Sequence, residues 1–127
     1  MSKILNIVET AYRANIEEQD DPVVWIAHAL KGAGADISVL LRGNAVNYAI
    51  KGQDASGLSF GAKKQTQPPQ LARDITSLIG KGVTVSVVQD DAAERGLEGT
   101  DFIDGLTMVS RSGLPKLVAD HDQVWHW

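Results

Sequence analysis

Short apolar runs that alternate with helical segments are the feature that most constrains the fold of this chain. Three runs are apolar over almost their whole length: KILNIVE at 3–9, ADISVLL at 35–41 and VTVSVV at 83–88. A strand with one exposed face alternates between polar and apolar residues, whereas a strand covered on both faces is continuously apolar. The three runs therefore predict central strands of a sheet that helices cover on both faces.

Helix signals separate these runs. The segment DDPVVWIAHALKGAG has Asp21 as a candidate N-cap, Pro22 at the first helical position, and Gly32 and Gly34 at its end. A second helix is predicted in PPQLARDITSLIGKG at 68–82, because its apolar residues recur at helical spacing. Both helices are placed to cover the sheet.

Shorter elements fill the rest of the chain. They are a helix at 44–52, a loop at 53–67, a helix near 91–96, a strand at 106–109, a helix at 113–122 and a strand at 123–127. Asn44 is a plausible N-cap for the first of them. Strands that alternate with helices predict parallel βαβ units, and thus a three-layer α/β/α sandwich in one domain, 1–127.

The composition argues against several classes of function. The chain has no cysteine, which removes disulfides, thiolate metal sites, and nucleophilic or persulfide chemistry by a thiol of its own. A net charge of -4, with no basic run longer than Lys63–Lys64, argues against nucleic acid as a partner. With no signal-peptide core and no membrane-length apolar run, we expect a cytoplasmic protein without a membrane partner.

Three loops are expected to meet at one edge of the sheet, because ligands of open parallel sheets bind beyond the carboxyl ends of the strands. The candidate ligand-binding residues are Tyr12 and Arg13 after the first strand, Arg42, Gly43 and Asn44 after the second, and Gln89, Asp90 and Asp91 after the third. Among them, Arg42 could clamp an anion beside a helix start. The alternative is a salt bridge from Arg42 to Asp90 or Asp91.

The turn Gln89-Asp90-Asp91 joins a strand to a helix but offers two carboxylates and no nucleophile. Asp91 and Glu94 have the spacing of a capping box, in which both side chains bond to backbone N–H groups of the helix start. The helix dipole there lowers the pKa of a carboxylate, whereas a general acid needs a raised one. We therefore expect a capping role, with acid–base chemistry as the alternative.

No motif predicts a cofactor or a metal. The GAG at 32–34 follows a helix rather than a strand, which is typical of a C-cap and not of a dinucleotide site. His121 and His126 lack a third ligand at zinc spacing, His28 lies apart on the first predicted helix, and no G-x-S-x-G turn is present.

Aromatic residues provide candidates for a subunit interface. Trp125 and Trp127 share one face of the closing strand, where two large side chains would be half-exposed in a monomer. Tryptophan is enriched at interfaces, although closing the core is the alternative role, particularly for Trp125. Tyr48 on the short second helix is a third candidate.

The order of these segments resembles the DsrE/DsrF-like family over nearly the whole chain outside 53–67. The matching segments are ALKGAGADISVLL, RGNAVNYAIKGQ, LIGKGVTVSVVQDDAAERGL and LTMVSRSGLPKLVADHDQVWHW. The resemblance implies a flavodoxin-like subunit with a mostly parallel five-stranded sheet that assembles into homo-trimers or hexamers. The best understood relatives pass a persulfide on a cysteine near the end of the third strand. Here Val88 or Asp91 stands at that position, and neither can hold sulfur.

Three functions follow as hypotheses. The first is a non-catalytic homo-oligomer that binds a partner or a small anion in the crevice edged by Arg42 and Gln89. The second is an enzyme that uses Asp90 or Asp91 together with Arg42 in the same crevice. The third is an accessory subunit of a sulfur-relay complex, which docks a cysteine-bearing relative without carrying sulfur itself.

Overall fold

The computed structural model describes residues 2–11, 21–52, 59–64, 66, 70–99 and 101–127. In chain order its elements are β1 (Lys3–Val8), α1 (Pro22–Gly32), β2 (Asp36–Leu41), a 3₁₀ helix (Gly43–Ala49), β3 (Ser59–Phe60), β4 (Lys63–Lys64), α2 (Leu71–Gly80), β5 (Val85–Val88), α3 (Gln89–Glu94), β6 (Thr107–Val109), a 3₁₀ turn (Arg111–Gly113), α4 (Leu114–Ala119) and β7 (Gln123–His126). Within these ranges, no helix has the length and apolarity needed to cross a membrane.

Five strands form a parallel sheet in the order β6-β5-β2-β1-β7. β1 pairs with β2 along its whole length, from Lys3 opposite Asp36 to Val8 opposite Leu41, and with β7 on its other side. Along the chain, β1, β2, β5 and β6 therefore follow one another across the sheet in one direction. The chain then crosses back, and β7 pairs with the other side of β1. This confirms the predicted α/β fold with a parallel five-stranded sheet.

The helices divide unequally between the two faces of the sheet. On one face, α1, the 3₁₀ helix, α2 and α3 enclose the main core. On the other face, among the residues that the structure describes, α4 supplies Leu114 and Leu117, which pack against a small cluster formed by Leu5, Ile7, Leu40 and Val88. Right-handed crossovers explain the division, because the connections from β1 to β6 all step in one direction and only the connection to β7 steps back.

Asp21 caps α1, as predicted, and also ties α1 to the core. Its Oδ1 accepts the N–H groups of Val23 at 2.9 Å and Val24 at 3.3 Å, with Pro22 at the helix start. Its Oδ2 accepts the hydroxyl of Tyr48 at 2.5 Å, and both side chains are fully buried. Because Tyr48 lies inside the subunit, the prediction that it forms a subunit interface is wrong.

The short helix after β2 differs from its prediction. It is a 3₁₀ helix that begins at Gly43, and its N-cap position is Arg42, whose side chain makes no capping hydrogen bond. Asn44 lies inside the helix, so its predicted role as N-cap is wrong. Its Oδ1 instead accepts hydrogen bonds from Arg95 Nε at 3.2 Å and Nη2 at 3.1 Å.

Part of the predicted 53–67 loop is a β-hairpin. β3 and β4 pair antiparallel, with Ser59 opposite Lys64 and Phe60 opposite Lys63. Gly61 in the connecting turn has a φ of +63°. Apart from residues 59–64 and 66, this stretch lies outside the described residues.

Candidate functional site

The carboxyl ends of β5 and β6 form the topological switch point of the sheet. After β5 the chain enters α3 on one face, and after β6 it enters α4 on the other. Where neighbouring strands send the chain to opposite faces, a crevice forms that holds the ligands of many open α/β sheets. In this chain, Gln89, Asp90 and Asp91 border the crevice from one side and Arg111 borders it from the other.

Hydrogen bonds within the chain close this crevice. Asp90 Oδ1 accepts the backbone N–H of Arg111 at 2.8 Å, and Asp91 Oδ2 accepts the backbone N–H of Gly43 at 2.7 Å. The Arg111 guanidinium donates to Asp91 Oδ1 at 2.5 Å and to Glu94 Oε1 at 2.9 Å. Both aspartates of the turn are therefore bonded to the backbone of a neighbouring loop.

The surroundings of Asp91 stabilise its ionised form. Burial by itself would raise the pKa of Asp91, but hydrogen bonds from Gly43 N–H and Arg111, with the charges of Arg111 and Arg95, outweigh it and lower that pKa. Hydrogen bonds to Asp91 and Glu94 in turn raise the pKa of Arg111. A general acid at neutral pH needs a raised pKa. The lowered pKa of Asp91 is therefore the opposite of the shift that a general acid requires, and it favours an ion-paired carboxylate at neutral pH.

The predicted capping box of α3 is wrong. The helix begins at Gln89 with Val88 at its N-cap position, so Asp91 lies within the first turn instead of before it. Its carboxylate bonds to Gly43 in the loop after β2, and Glu94 bonds to the arginine that closes the crevice. The negative charge of Asp91 is still favourable near the positive N-terminal end of α3. The hydrogen bonds of its side chain, however, are to Gly43 after β2 and to Arg111 after β6.

Arg42 pairs with a different carboxylate from those predicted. Its Nε lies 3.7 Å from Oε1 of Glu9, and no ion pair joins it to Asp90 or Asp91 among the described residues. The same Nε is buried without a hydrogen-bond partner, while the Arg42 side chain as a whole is 38% exposed. The Arg42 side chain is therefore partly accessible to solvent at the end of β2, although its Nε is not.

Glu9 joins a second cluster at the carboxyl ends of β7, β1 and β2. Its Oε2 lies 2.5 Å from Nε2 of His126, whereas its other carboxylate oxygen, Oε1, is the one nearer to Arg42. Ile7 pairs with both Leu40 and His126, so Glu9, Arg42 and His126 project from the face of the sheet that α4 covers. Three charged or titratable side chains thus meet on adjacent strands.

Gly43 links the two clusters. Its φ of +56° favours glycine, and a Cβ at this position would lie 3.0 Å from Cγ of Glu9. Its N–H meanwhile donates to Asp91. The structure therefore gives Gly43 a positioning role between Glu9 and Asp91.

The other predicted ligand-binding residues have separate surroundings. Gln89 is exposed at the start of α3 and its side chain forms no hydrogen bond with another described residue. Tyr12 and Arg13 lie outside the described residues. Glu9 and Arg111 are not among the residues predicted from the sequence, although each follows a strand end by one or two positions and the rule applied to the other loops would select them.

An apolar pocket of about 270 Å³ lies at the start of α1. Trp25 is 60% exposed and Trp127 is 42% exposed, which makes this the most aromatic part of the described surface. The indole N–H of Trp127 donates to Oδ1 of the buried Asn6 at 2.6 Å, which fixes the ring. The pocket is lined by Pro22, Val23, Trp25, Ile26 and Trp127.

A larger cleft of about 510 Å³ lies between α2 and the loops around 51–52 and 103–104. Lys51 and Asp104 form an ion pair of 3.6 Å at its border. None of the site residues predicted from the sequence lines it.

Comparison with known proteins gives matches in structure alone. No model of a protein family matches the chain, and no curated protein matches its sequence significantly. The YchN protein from E. coli matches with a TM-score of 0.78 at 19% identity, over 100% of both chains. A conserved protein of unknown function from Bacteroides thetaiotaomicron matches with a TM-score of 0.64 at 16% identity, over 98% of this chain and 95% of that chain. At these identities the similarity shows that the chain shares the fold of both proteins.

Proposed function

We propose that the chain is a non-catalytic, homo-oligomeric binding protein of the DsrE-like group. The observation that carries the proposal is the closed crevice, in which Asp90 and Asp91 each accept a backbone N–H and Asp91 is paired with Arg111. The alternative enzyme needs one of these carboxylates unpaired, and a chain without cysteine cannot hold a persulfide. The side chains at the carboxyl ends of the strands are therefore better suited to binding a ligand than to catalysing a reaction.

Arg42 is the residue that we assign to ligand binding. Its partner Glu9 stands at 3.7 Å, which is beyond hydrogen-bonding distance, and its side chain is partly exposed. A guanidinium binds carboxylate and phosphate oxygens through paired N–H donors. Glu9 neutralises part of the charge of Arg42, so Arg42 by itself should bind an anion weakly. We therefore expect selectivity for ligands that also contact the neighbouring strand ends.

Thermal unfolding with inorganic phosphate tests this assignment. Phosphate at about ten times its Kd should stabilise the wild type by about 1.4 kcal/mol, because binding to the folded state adds RT ln(1 + [L]/Kd). Arg42→Ala should lose this increment. Lys81→Ala, which removes a basic side chain just after α2, is the matched control and should keep it. Equal phosphate-induced shifts in all three proteins would contradict the role of Arg42.

A second candidate function is the accessory subunit that docks a cysteine-bearing relative. The exposed Trp25 and Trp127 favour it, because exposed tryptophans near one another are typical of protein-binding surfaces. Co-expression with such a relative, followed by native mass spectrometry, separates the two candidates. The accessory role requires a mixed complex, whereas the first proposal requires a complex of this chain alone.

A further inference from the structure

The β3–β4 hairpin presents an aromatic side chain to solvent. All six of its residues are exposed, and Phe60 is 58% exposed. Its strands contain two residues each, and a two-stranded hairpin is at best marginally stable by itself. Contact with a surface outside the subunit would stabilise it.

The pocket beside α1 has the complementary shape and chemistry. Its walls are entirely apolar side chains, two of them exposed indoles, and its volume is about 270 Å³. Aromatic rings pack favourably at edge-to-face or offset geometry, with centroids about 4.5–7 Å apart. Because Phe60 is mostly exposed in its own subunit, it does not occupy this pocket within the same chain.

We propose that Phe60 of one copy inserts between Trp25 and Trp127 of a second copy. The proposal rests on the homo-oligomer proposed above and names the contact that forms it. Charge favours a second copy as the partner, because Lys63 and Lys64 lie on the hairpin and the net charge of -4 becomes -6 without them. The basic hairpin of one subunit is thus attracted to the acidic body of another.

The geometry of this contact limits the assemblies that it can form. The hairpin and the pocket are made of different residues, so each subunit offers one donor surface and one acceptor surface. Repeated head to tail, this contact is heterologous and closes into a ring when the rotation permits; used reciprocally by two copies, it forms a twofold dimer. A closed ring accommodates three or six subunits, the two assemblies that the sequence resemblance implies.

Sedimentation velocity of matched variants tests the contact. Phe60→Ser and Trp25→Ser should each weaken assembly by about thirtyfold or more, because central aromatic residues contribute most of the binding energy at interfaces. Val118→Ser is the control, since Val118 on α4 is 39% exposed and belongs to neither surface. It should leave assembly unchanged. Thermal unfolding of each variant checks that the subunit stays folded.

Mixing the two variants tests the pairing itself. Phe60→Ser retains an intact pocket and Trp25→Ser retains an intact hairpin, so their equimolar mixture should form a dimer through one complete contact. Neither variant should do so alone. If both variants dissociate but their mixture stays monomeric, the pairing of hairpin with pocket is wrong.

The remaining outcomes separate this inference from the proposed function. If Phe60→Ser assembles like the wild type, the hairpin contact is overturned while the homo-oligomer stands. A monomeric wild type overturns both. A wild type that is monomeric alone but binds a cysteine-bearing relative through Trp25 would assign the pocket to that relative and overturn the self-contact.

Discussion

Asp21 bonds with both of its carboxylate oxygens, one to the first turn of α1 and the other to the hydroxyl of Tyr48. Both side chains are fully buried, so this hydrogen bond satisfies a polar group of each residue away from water. The N-cap is evident from the sequence, since it depends on the local order of Asp21 and Pro22. The bond to Tyr48 is not, because it joins residues that only the fold brings together.

Asp21→Ala should lower the free energy of unfolding by about 3 kcal/mol. Loss of an N-cap costs about 1 kcal/mol, and loss of the buried hydrogen bond between the Tyr48 hydroxyl and a charged carboxylate adds about 1.5–3 kcal/mol. Urea denaturation measures the change. In the background of Tyr48→Phe, which already lacks the hydrogen bond to Asp21, the same substitution should cost about 1 kcal/mol. An equal cost in both backgrounds would exclude coupling between the two residues.

Gly43→Ala should destabilise the fold more than an alanine at another glycine with positive φ. Left-handed backbone costs about 1–2 kcal/mol for a residue with a side chain, and at Gly43 the new Cβ also approaches Glu9 at 3.0 Å. Gly99→Ala is the matched control, because Gly99 has a φ of +75° and open space around it. Equal losses in urea denaturation would show that the contact with Glu9 is unimportant.

At the scale of elements, Arg111 connects helices that lie on opposite faces of the sheet. Its N–H and guanidinium hold Asp90, Asp91 and Glu94 of α3, while the chain continues from Arg111 into α4. These bonds cross the crevice at the switch point, where a ligand would otherwise separate the two loops. The ion pair thereby gives this edge its shape.

Stability should fall in acid partly because of Asp91. Its folded-state pKa is below the ordinary value, so its contribution is complete above the unfolded-state pKa of about 3.9 and is lost as pH falls through the lower folded value. Between neutral and strongly acidic pH, urea denaturation should show a smaller decrease in the free energy of unfolding for Asp91→Asn than for the wild type. Asp104→Asn, at a side chain 95% exposed, should follow the wild type. If the free energy of unfolding of Asp91→Asn fell with pH as steeply as that of the wild type, Asp91 would not contribute to the acid sensitivity.

Local patterns predict most of the elements but few of the contacts at the site. β1, β2 and β5 follow from continuous apolar runs, and α1 follows from its cap, proline and glycines. α3 begins at Gln89, directly after β5, because no turn separates the strand from the helix. Asp91 finds its partners 48 residues earlier, at Gly43, and 20 residues later, at Arg111. Side-chain contacts between residues so far apart in the sequence depend on the order of the strands in the sheet. Local sequence patterns do not reveal that order.

At the scale of the whole molecule, the covering of the sheet is asymmetric. One face carries most of the helices, whereas the other carries α4 and leaves Val118 and Val124 among the exposed apolar residues. Elsewhere on the subunit, Trp25 and Trp127 beside α1 and Phe60 on the β3–β4 hairpin are also exposed. Exposed aromatics and an unevenly covered sheet are typical of a subunit that buries further surface on assembly. These exposed apolar residues support the proposal of an oligomeric binding protein.

The claim that the turn after β5 is structural instead of catalytic can be tested by measuring the pKa of Asp91 directly. Carbon-13 NMR of the side-chain carboxyl group, followed during an acid titration, reports this value residue by residue. The account predicts a midpoint below the ordinary value of about 3.9, shifting upward in Arg111→Ala as a hydrogen bond and a charge are removed. A midpoint above the ordinary value in the wild type would mark Asp91 as a group poised for proton transfer and would contradict the account.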